Sequence, residues 1–375
     1  MGSGERLRQA RENAGLSLAA MAQRTHYSKP YLSQLETGRR TLQPEHVTAY
    51  SRALGVPLAV LYGPSLEPLR VAHEWLVADT PAQVHAAAGR RVGVSLAEEM
   101  ERRVIELRHL DDTIGGGDLY PIVERELAAA EDLVAHASYA EPIGRRLLTV
   151  VGELAQLAGW VSSDAGRYAE AEYTYLNGVS AAQDAGDRAL AGQLLSSLSY
   201  QLANVGNPAD AALLARSAVK GATGASPKAH ALLLERVAWA SAKARDDDAT
   251  RRALDDVDDT YESRSDSAPE PEWTYWLDRS EIDVMAGRCL IEIGQPARAE
   301  PLISAAVAGY APDHAREKAL YRTWIAEAWA KSGELDAARA ALATARKDAT
   351  AVNSMRLQVR IAAVETMIER LTVSR

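Results

Sequence analysis

Apolar residues recur along this chain at intervals of three and four, the period of helices that turn one face to a core. Leu7, Ala10 and Ala14 share a face of a helix over residues 5–14, and Gly15 stands where a left-handed C-terminal cap belongs. Ser17 can cap a second helix over 18–24, and Ser28 a third over 29–37. Pro30 is tolerated there because first-turn amides have no intrahelical partner. Leu32 and Leu35 fall on that helix's core face, and Gly38 ends it. A fourth helix is expected from Pro44 to Leu54, with Gly55 past its end. Pro64, Pro68 and Pro81 interrupt a stretch without clean period, read as a linker over 64–94 with a short helix near 69–77. Ser95 is then placed as the cap of a helix over 96–112, carrying Leu96, Met100, Val104, Leu107 and Leu110 on one face. Gly115, Gly116 and Gly117 read as a helix–helix turn. No strand precedes them and no Gly-Lys-Ser/Thr follows, so they do not make a phosphate-cradling loop.

Beyond residue 150 a turn signature repeats: Gly166-Arg-Tyr-Ala-Glu-Ala, Gly206-Asn-Pro-Ala-Asp-Ala, a degenerate Arg245-Asp-Asp-Asp-Ala-Thr, Gly294-Gln-Pro-Ala-Arg-Ala and Gly333-Glu-Leu-Asp-Ala-Ala. Successive intervals are 40, 39, 49 and 39 residues. The long one absorbs a polar, proline-bearing insertion at 263–272, read as a loop. Each turn sits between two amphipathic helices, and the pattern resembles tetratricopeptide repeats with slightly lengthened helices. Gly159, Gly166, Tyr168, Ala171 and Tyr175 fall on that family's small and aromatic positions. The expected fold class is all-α, with a tetratricopeptide-like α-solenoid over 95–375.

Composition narrows the class. Among 375 residues, 47% are hydrophobic and 25% charged, an ordinary globular balance. Phe is absent and Arg far outnumbers Lys, as in a GC-rich bacterial coding sequence. With one cysteine, Cys289, neither a disulfide framework nor a cysteine-based zinc site can form within the chain. No signal-peptide core and no bilayer-length apolar run is present, so a cytoplasmic setting is expected. Charge is uneven. Residues 1–63 carry eight Lys and Arg against four acids, a net +4, while the remainder stands at −13. A basic head on an acidic body suits a nucleic-acid-binding module joined to a partner that does not bind it.

The short helix, tight turn and short helix of residues 18–37 form a helix-turn-helix, whose second helix enters the major groove. The run LRQARENAGLSLAAMAQRTHYSKPYLSQLETGRR, with ALGVPLAVLYG after it, resembles the Xre family of lambda-repressor-like DNA-binding domains over residues 4–63. The resemblance pairs Arg11 with Glu36 as a clamp between the first and third helices. Leu18 and Ala19 stand where the family usually has Gln-Glu, which implies the loss of one phosphate contact. The expected DNA face comprises Ser28, Lys29, Tyr31, Ser33, Gln34, Arg39 and Arg40. Gln34 can pair bidentately with adenine and Lys29 can reach guanine, whereas Arg39 and Arg40 suit phosphates. His26 is read as a turn residue.

In a curved array the first helix of each unit lines the concave face. Counting from Trp160, one unit at a time, gives Tyr200, Trp239, Arg288 and Glu327. One turn earlier the series is Gln156, Ser196, Glu235, Val284 and Arg322, and Asn204 lies one turn after Tyr200. This predicts a groove with an aromatic strip at one end and charged or amide groups at the other. It suits a peptide or amphipathic small molecule. Catalytic, metal and cofactor signatures are not found: Cys289 sits mid-helix among apolar residues, no HExxH spacing exists, and the Asp runs at 246–248 and 255–259 read as solvated faces. The two-part layout resembles peptide-pheromone-receptor regulators of Gram-positive bacteria and a large set of actinobacterial regulators. It implies a non-enzymatic, homodimeric transcriptional regulator reading double-stranded DNA, an inverted-repeat operator, under control of a ligand in the groove. The competing expectation is a DNA-tethered adaptor whose repeats hold a protein.

Overall fold

The structure is a computed structural model that describes residues 3–40, 44–56, 61, 92–112, 114, 116–265, 269–310, 314–350 and 354–373. All regular structure among these residues is helical. The chain divides into two compact units, Met1–Asp79 and Thr80–Arg375. The helix expected near 69–77 lies outside the described residues, as does most of the linker at 64–94.

The first unit contains α1 (Ser3–Asn13), α2 (Leu18–Thr25), α3 (Lys29–Glu36) and α4 (Pro44–Leu54). Ser17 and Ser28 cap α2 and α3 by accepting from the amides of Ala20 and Tyr31. Gly15, Gly38 and Gly55 take positive φ at the helix ends. Leu7, Met21, Leu32, Leu35, Val47 and Tyr50 fill one core. Across it runs a buried fork: Arg11 Nε and Nη2 donate to the two Glu36 oxygens, both at 2.7 Å. Arg11 Nη1 also reaches the Leu16 carbonyl at 2.8 Å, and Tyr50 Oη donates to Glu36 at 2.8 Å. Removing either partner of so buried a pair strands a charge, at a cost of about 3–5 kcal/mol.

The second unit begins with α5 (Val94–Asp111) and α6 (Gly116–His136). Two expectations are corrected here. Gly93, not Ser95, flanks α5, and it offers no side-chain cap. Gly116 and Gly117 belong to the first turn of α6 instead of forming a free-standing turn. Five helix pairs follow: α7 and α8 (Glu141–Asp164, Tyr168–Ala185), α9 and α10 (Arg188–Val205, Pro208–Gly221), α11 and α12 (Pro227–Lys243, Asp247–Glu262), α13 and α14 (Arg279–Glu292, Pro296–Gly309), and α15 and α16 (Ala315–Lys331, Leu335–Ala349). A last helix, α17 (Met355–Val373), packs on α15 and α16. The first members of the pairs, α7, α9, α11, α13 and α15, touch in succession and form an inner row.

The repeated turn has one physical form. After α7, α11, α13 and α15, the residue at the signature's first position is left-handed: Gly166 φ 80°, Arg245 φ 59°, Gly294 φ 76° and Gly333 φ 89°. The next amide then bonds back five residues, from Arg167 to Ser162, Asp246 to Ser241, Gln295 to Leu290 and Glu334 to Trp329, at 2.8–3.0 Å. This double-turn closure satisfies carbonyls that a helix end leaves open. Gly206 departs, with φ −122°. There Asn207 caps α10 instead, accepting from the Ala209 amide at 2.9 Å. Tyr175 packs flat on Gly159, whose missing side chain it needs: a Cβ there would lie 2.5 Å from Tyr175 Cε1.

Two outcomes are expected in urea unfolding followed by tryptophan emission. Gly159→Ala loses about 1–3 kcal/mol, because a methyl group collides with a fully buried ring. Arg245→Gly gains about 0.5–1 kcal/mol, because removing the Cβ relieves the left-handed strain.

Candidate nucleic-acid interface and internal cavity

In the first unit, the Ser28 cap starts α3 so that its opening turn is exposed. Lys29, Gln34, Arg39 and Arg40 are exposed, and Ser33 is half-buried. Ser28 spends its hydroxyl on the Tyr31 amide at 3.3 Å, so its role is to set the helix start. Tyr31 is engaged on three sides. It stacks on Tyr27 with centroids 5.2 Å apart, shares a 2.8 Å hydrogen bond with His46 Nε2, and carries the Arg40 guanidinium 4.4 Å above its ring. The Arg40 amide bonds to the Gln34 carbonyl at 3.1 Å, which ties the arginine backbone to the recognition helix. His26 is the turn residue, left-handed at φ 61°. Arg11 and Glu36 lie beneath this face, in the core.

In the second unit the inner row surrounds a cavity of about 540 Å³. Three contacts between residues distant in sequence bridge its walls. Arg316 of α15 makes a paired contact with Asp111 of α5 at 3.1 and 3.3 Å. Tyr275 donates to Asp112. Asp164, at the end of α7, accepts from Ser354 at 2.9 Å and pairs with Arg356 of α17 at 3.2 Å. The array therefore curls until its late helices meet its early ones.

The register expected from sequence brings the rings together. Trp160 stacks on Tyr200 at 5.9 Å, Tyr200 lies 6.3 Å from Trp239, and Trp239 meets Trp324 edge-on at 5.6 Å. Arg288 is not at a separate polar end. Its Nη2 donates to Tyr200 Oη at 2.7 Å, and its guanidinium lies over Trp239 and Trp324 at 4.5 and 4.9 Å. Gln156, Trp160, Tyr200 and Arg288 line the cavity.

The other expected groove residues do not, each for a stated reason. Ser196 is buried and bonds to Gln193. Asn204 donates to the Tyr200 carbonyl at 2.7 Å. Trp239 lies behind Arg288, and Val284 is core. Glu235 is buried with both carboxylate oxygens unpartnered among the described residues, and burial pushes its pKa well up, toward the neutral acid. Arg322 pairs with Asp348 of α16. Glu327 is covered by α17, pairing with Arg360, and also meets Lys331 at 2.7 Å. Cys289 is core, its thiol pushed up to about 12 by burial.

Sequence reasoning missed several of the walls. Trp273, Tyr275 and Trp276 line the cavity, although they directly follow the insertion read as a plain loop. A 3-10 turn at Glu272–Thr274 folds that segment inward, and Arg108 of α5 pairs with Glu272. Arg236, adjacent to the expected Glu235, is the residue that faces the cavity. Tyr321 of α15 donates to both oxygens of Glu281, at 2.8 and 2.7 Å. Burial nevertheless raises the Glu281 pKa to about 7. Burial also works to raise the Tyr200 phenol, but Arg288, Arg356 and Arg236 outweigh it and bring the pKa down to about 8. The cavity is thus electropositive on its Tyr200 side.

Among the described residues, no group of three or more His, Cys, Asp or Glu could hold a metal ion, and no helix is long and apolar enough to cross a membrane. Residues 4–61 match the helix-turn-helix domain family. No curated protein matches the chain. Among solved structures it is similar to BtubC from P. vanneervenii, with 16% identity and a TM-score of 0.43 over 62% of this chain and 90% of that one. It is also similar to the apo form of the competence regulator ComR from Streptococcus vestibularis, with 14% identity and a TM-score of 0.33 over 84% and 96%. For apo ComR from S. thermophilus the values are 11% and 0.32 over 89% and 98%. The chain is a helix-turn-helix domain followed by a helical repeat region.

The lowered Tyr200 pKa has a sign that can be tested. The folded chain holds the phenolate more readily than the unfolded chain, whose tyrosines titrate near 10. The resulting stabilisation is full above pH 10 and is lost as pH falls through about 8. Absorbance at 295 nm should show one tyrosinate step near pH 8 in the native protein and none in Tyr200→Phe. The stability gap between the two proteins should widen from pH 8 to 10.

Proposed function

We propose that this protein is a sequence-specific DNA-binding transcriptional regulator, without catalytic activity, whose repeat region senses a small-molecule ligand in its internal cavity. The observation that carries the reading is the exposed opening of a capped recognition helix, with Lys29 and Gln34 presented and Arg39 and Arg40 just beyond it. Lys29 and Gln34 read base edges, and Arg39 and Arg40 hold phosphates. Arg40 is steadied for that role by its stacking on Tyr31. Residues 1–63 form the DNA-binding domain, 64–94 the linker and 95–375 the sensing and dimerisation domain. Two heads in a homodimer address two half-sites about one helical turn apart on an inverted-repeat operator in the cytoplasm.

The bridged cavity favours a compact ligand over a peptide laid along an open groove. A cavity of this size is in the range that small-molecule sites occupy. Control follows by linkage: a ligand that prefers one arrangement of the heads shifts the population able to span both half-sites. The adaptor reading keeps one specific support. Tyr173, Leu176 and Leu213 on α8 and α10 are exposed apolar side chains, suited to a protein partner or to the dimer contact itself.

Capture and sequencing of sheared genomic DNA at stated salt tests the reading. Wild-type protein should enrich a shared inverted repeat. Arg40→Ala should weaken capture of all sequences, and Gln34→Ala should relax preference at one base pair, worth about 1–3 kcal/mol. Equal losses on operator and random DNA for both variants would refute this division of roles.

A further inference from the structure

The charged residues around the cavity are unevenly partnered. Each carboxylate that lines the cavity is engaged: Asp111 by Arg316, Asp112 by Tyr275, Glu281 by Tyr321, and Glu317 by Arg316 at 3.0 Å. Asp278 accepts from the Glu281 amide as the cap of α13. Two of the lining guanidiniums are not matched. Arg236 is 5% exposed, lines the cavity and has no carboxylate partner among the described residues. Its Nη1 reaches only Met285 Sδ at 3.6 Å, its Nε has no acceptor, and its guanidinium lies 4.6 Å over the Tyr200 ring. Arg288, 7% exposed, has the Tyr200 hydroxyl and the surrounding rings, but its Nε has no acceptor either.

A buried guanidinium held without a counter-charge is costly, and stacking on a ring offsets only part of that cost. Glu235 does not supply the charge, since neither of its oxygens bonds and it does not line the cavity. The lining also includes the apolar side chains of Trp160, Trp273, Trp276, Leu157 and Met285.

We propose that the cavity binds a carboxylic acid with a flat aromatic body, its carboxylate held by Arg236 and Arg288 and its ring against the cavity's apolar lining. This rests on the reading of the cavity as the ligand site of the proposed regulator. Arginine forks match the two oxygens of a carboxylate in a way a single neutral acceptor does not. An aromatic ring in the cavity replaces water against apolar side chains such as Trp276, Leu157 and Met285. A bound carboxylate would supply the counter-charge that the two guanidiniums lack.

The test uses thermal unfolding of the full-length protein with benzoate, 1-naphthylacetate and indole-3-acetate, each beside its neutral amide and beside sodium sulfate. At least one acid should raise Tm by about 3 °C or more at concentrations well above its Kd, while its amide does not. The shift should vanish in Arg236→Met. Without ligand that variant should melt at or above the wild-type Tm, because it removes an unmatched buried charge. Equal shifts by acid and amide overturn the anion assignment and leave a ligand cavity standing. An equal shift by sulfate overturns the aromatic half of the assignment. No shift by any acid, or a clear loss of Tm in Arg236→Met, makes these guanidiniums structural and overturns the proposal. An acid that binds without changing DNA capture leaves this site standing and sinks the regulatory coupling instead.

Discussion

The repeat region is organised by a row of inner helices that turn most of their residues away from water. In α9, α11 and α13 about two-thirds of the residues are buried, 12 of 18, 11 of 17 and 9 of 14, because each helix has an inner neighbour on both sides, an outer helix behind, and the cavity in front. Polar groups placed there have to find partners inside the protein. Arg288 finds a phenol and two indoles, Ser199 a backbone carbonyl across the pair, and Gln201 the carbonyl of Tyr168. Where no partner exists, as at Glu235, burial favours the neutral form. The aromatic and guanidinium stack along the row is therefore a packing solution before it is a binding surface.

Much of this was readable in the sequence, and the reasons are local. A glycine after a helix followed by a small-residue motif states a turn, and four of the five turns close by the same backbone bond. That bond is blind to side chain, which is why Arg245 can stand in for glycine and why its degenerate motif still marked a turn. Gly206 shows the converse, where a glycine and an Asn-Pro pair make a different geometry. Counting one repeat at a time placed Trp160, Tyr200 and Trp239 in one contiguous stack, because neighbouring inner helices present equivalent positions. What could not be counted was curvature. Neighbouring residues on a helix point about 100° apart, so the rotation of α11 about its own axis decides whether Glu235 or Arg236 faces inward, and no spacing rule contains that rotation. Nor could register arithmetic anticipate α17, which lacks the turn signature and covers Glu327 with Arg360. The segment at 272–276 was hidden for a third reason: its aromatic residues follow an insertion that has no counterpart in the other units.

The first unit was more legible because its signals are caps and glycines at short range. Ser17, Ser28, Gly15, Gly38 and Gly55 define four helices with little dependence on anything distant. The buried fork between Arg11 and Glu36 then fixes α1 against the end of α3, joined by the Tyr50 hydroxyl. A rigid recognition helix is what the exposed side chains at 29, 34, 39 and 40 require. Their own attachments matter as well: Tyr31, which spacing alone assigns to the DNA face, is also the surface on which Arg40 rests.

The contact between Asp111 and Arg316 joins positions 205 residues apart. An open array of repeats folds by nearest-neighbour steps and can fray from either end, with each unit nearly autonomous. Closing the array end to end adds a contact that no unit can make alone, so the repeats gain or lose order together, and loop closure over such a distance is slow. On a ribosome the N-terminal head is complete long before Arg316 emerges, whereas the cavity cannot exist until the chain is nearly finished. The two parts of the molecule thus mature at different times, the helix-turn-helix head early and the cavity last.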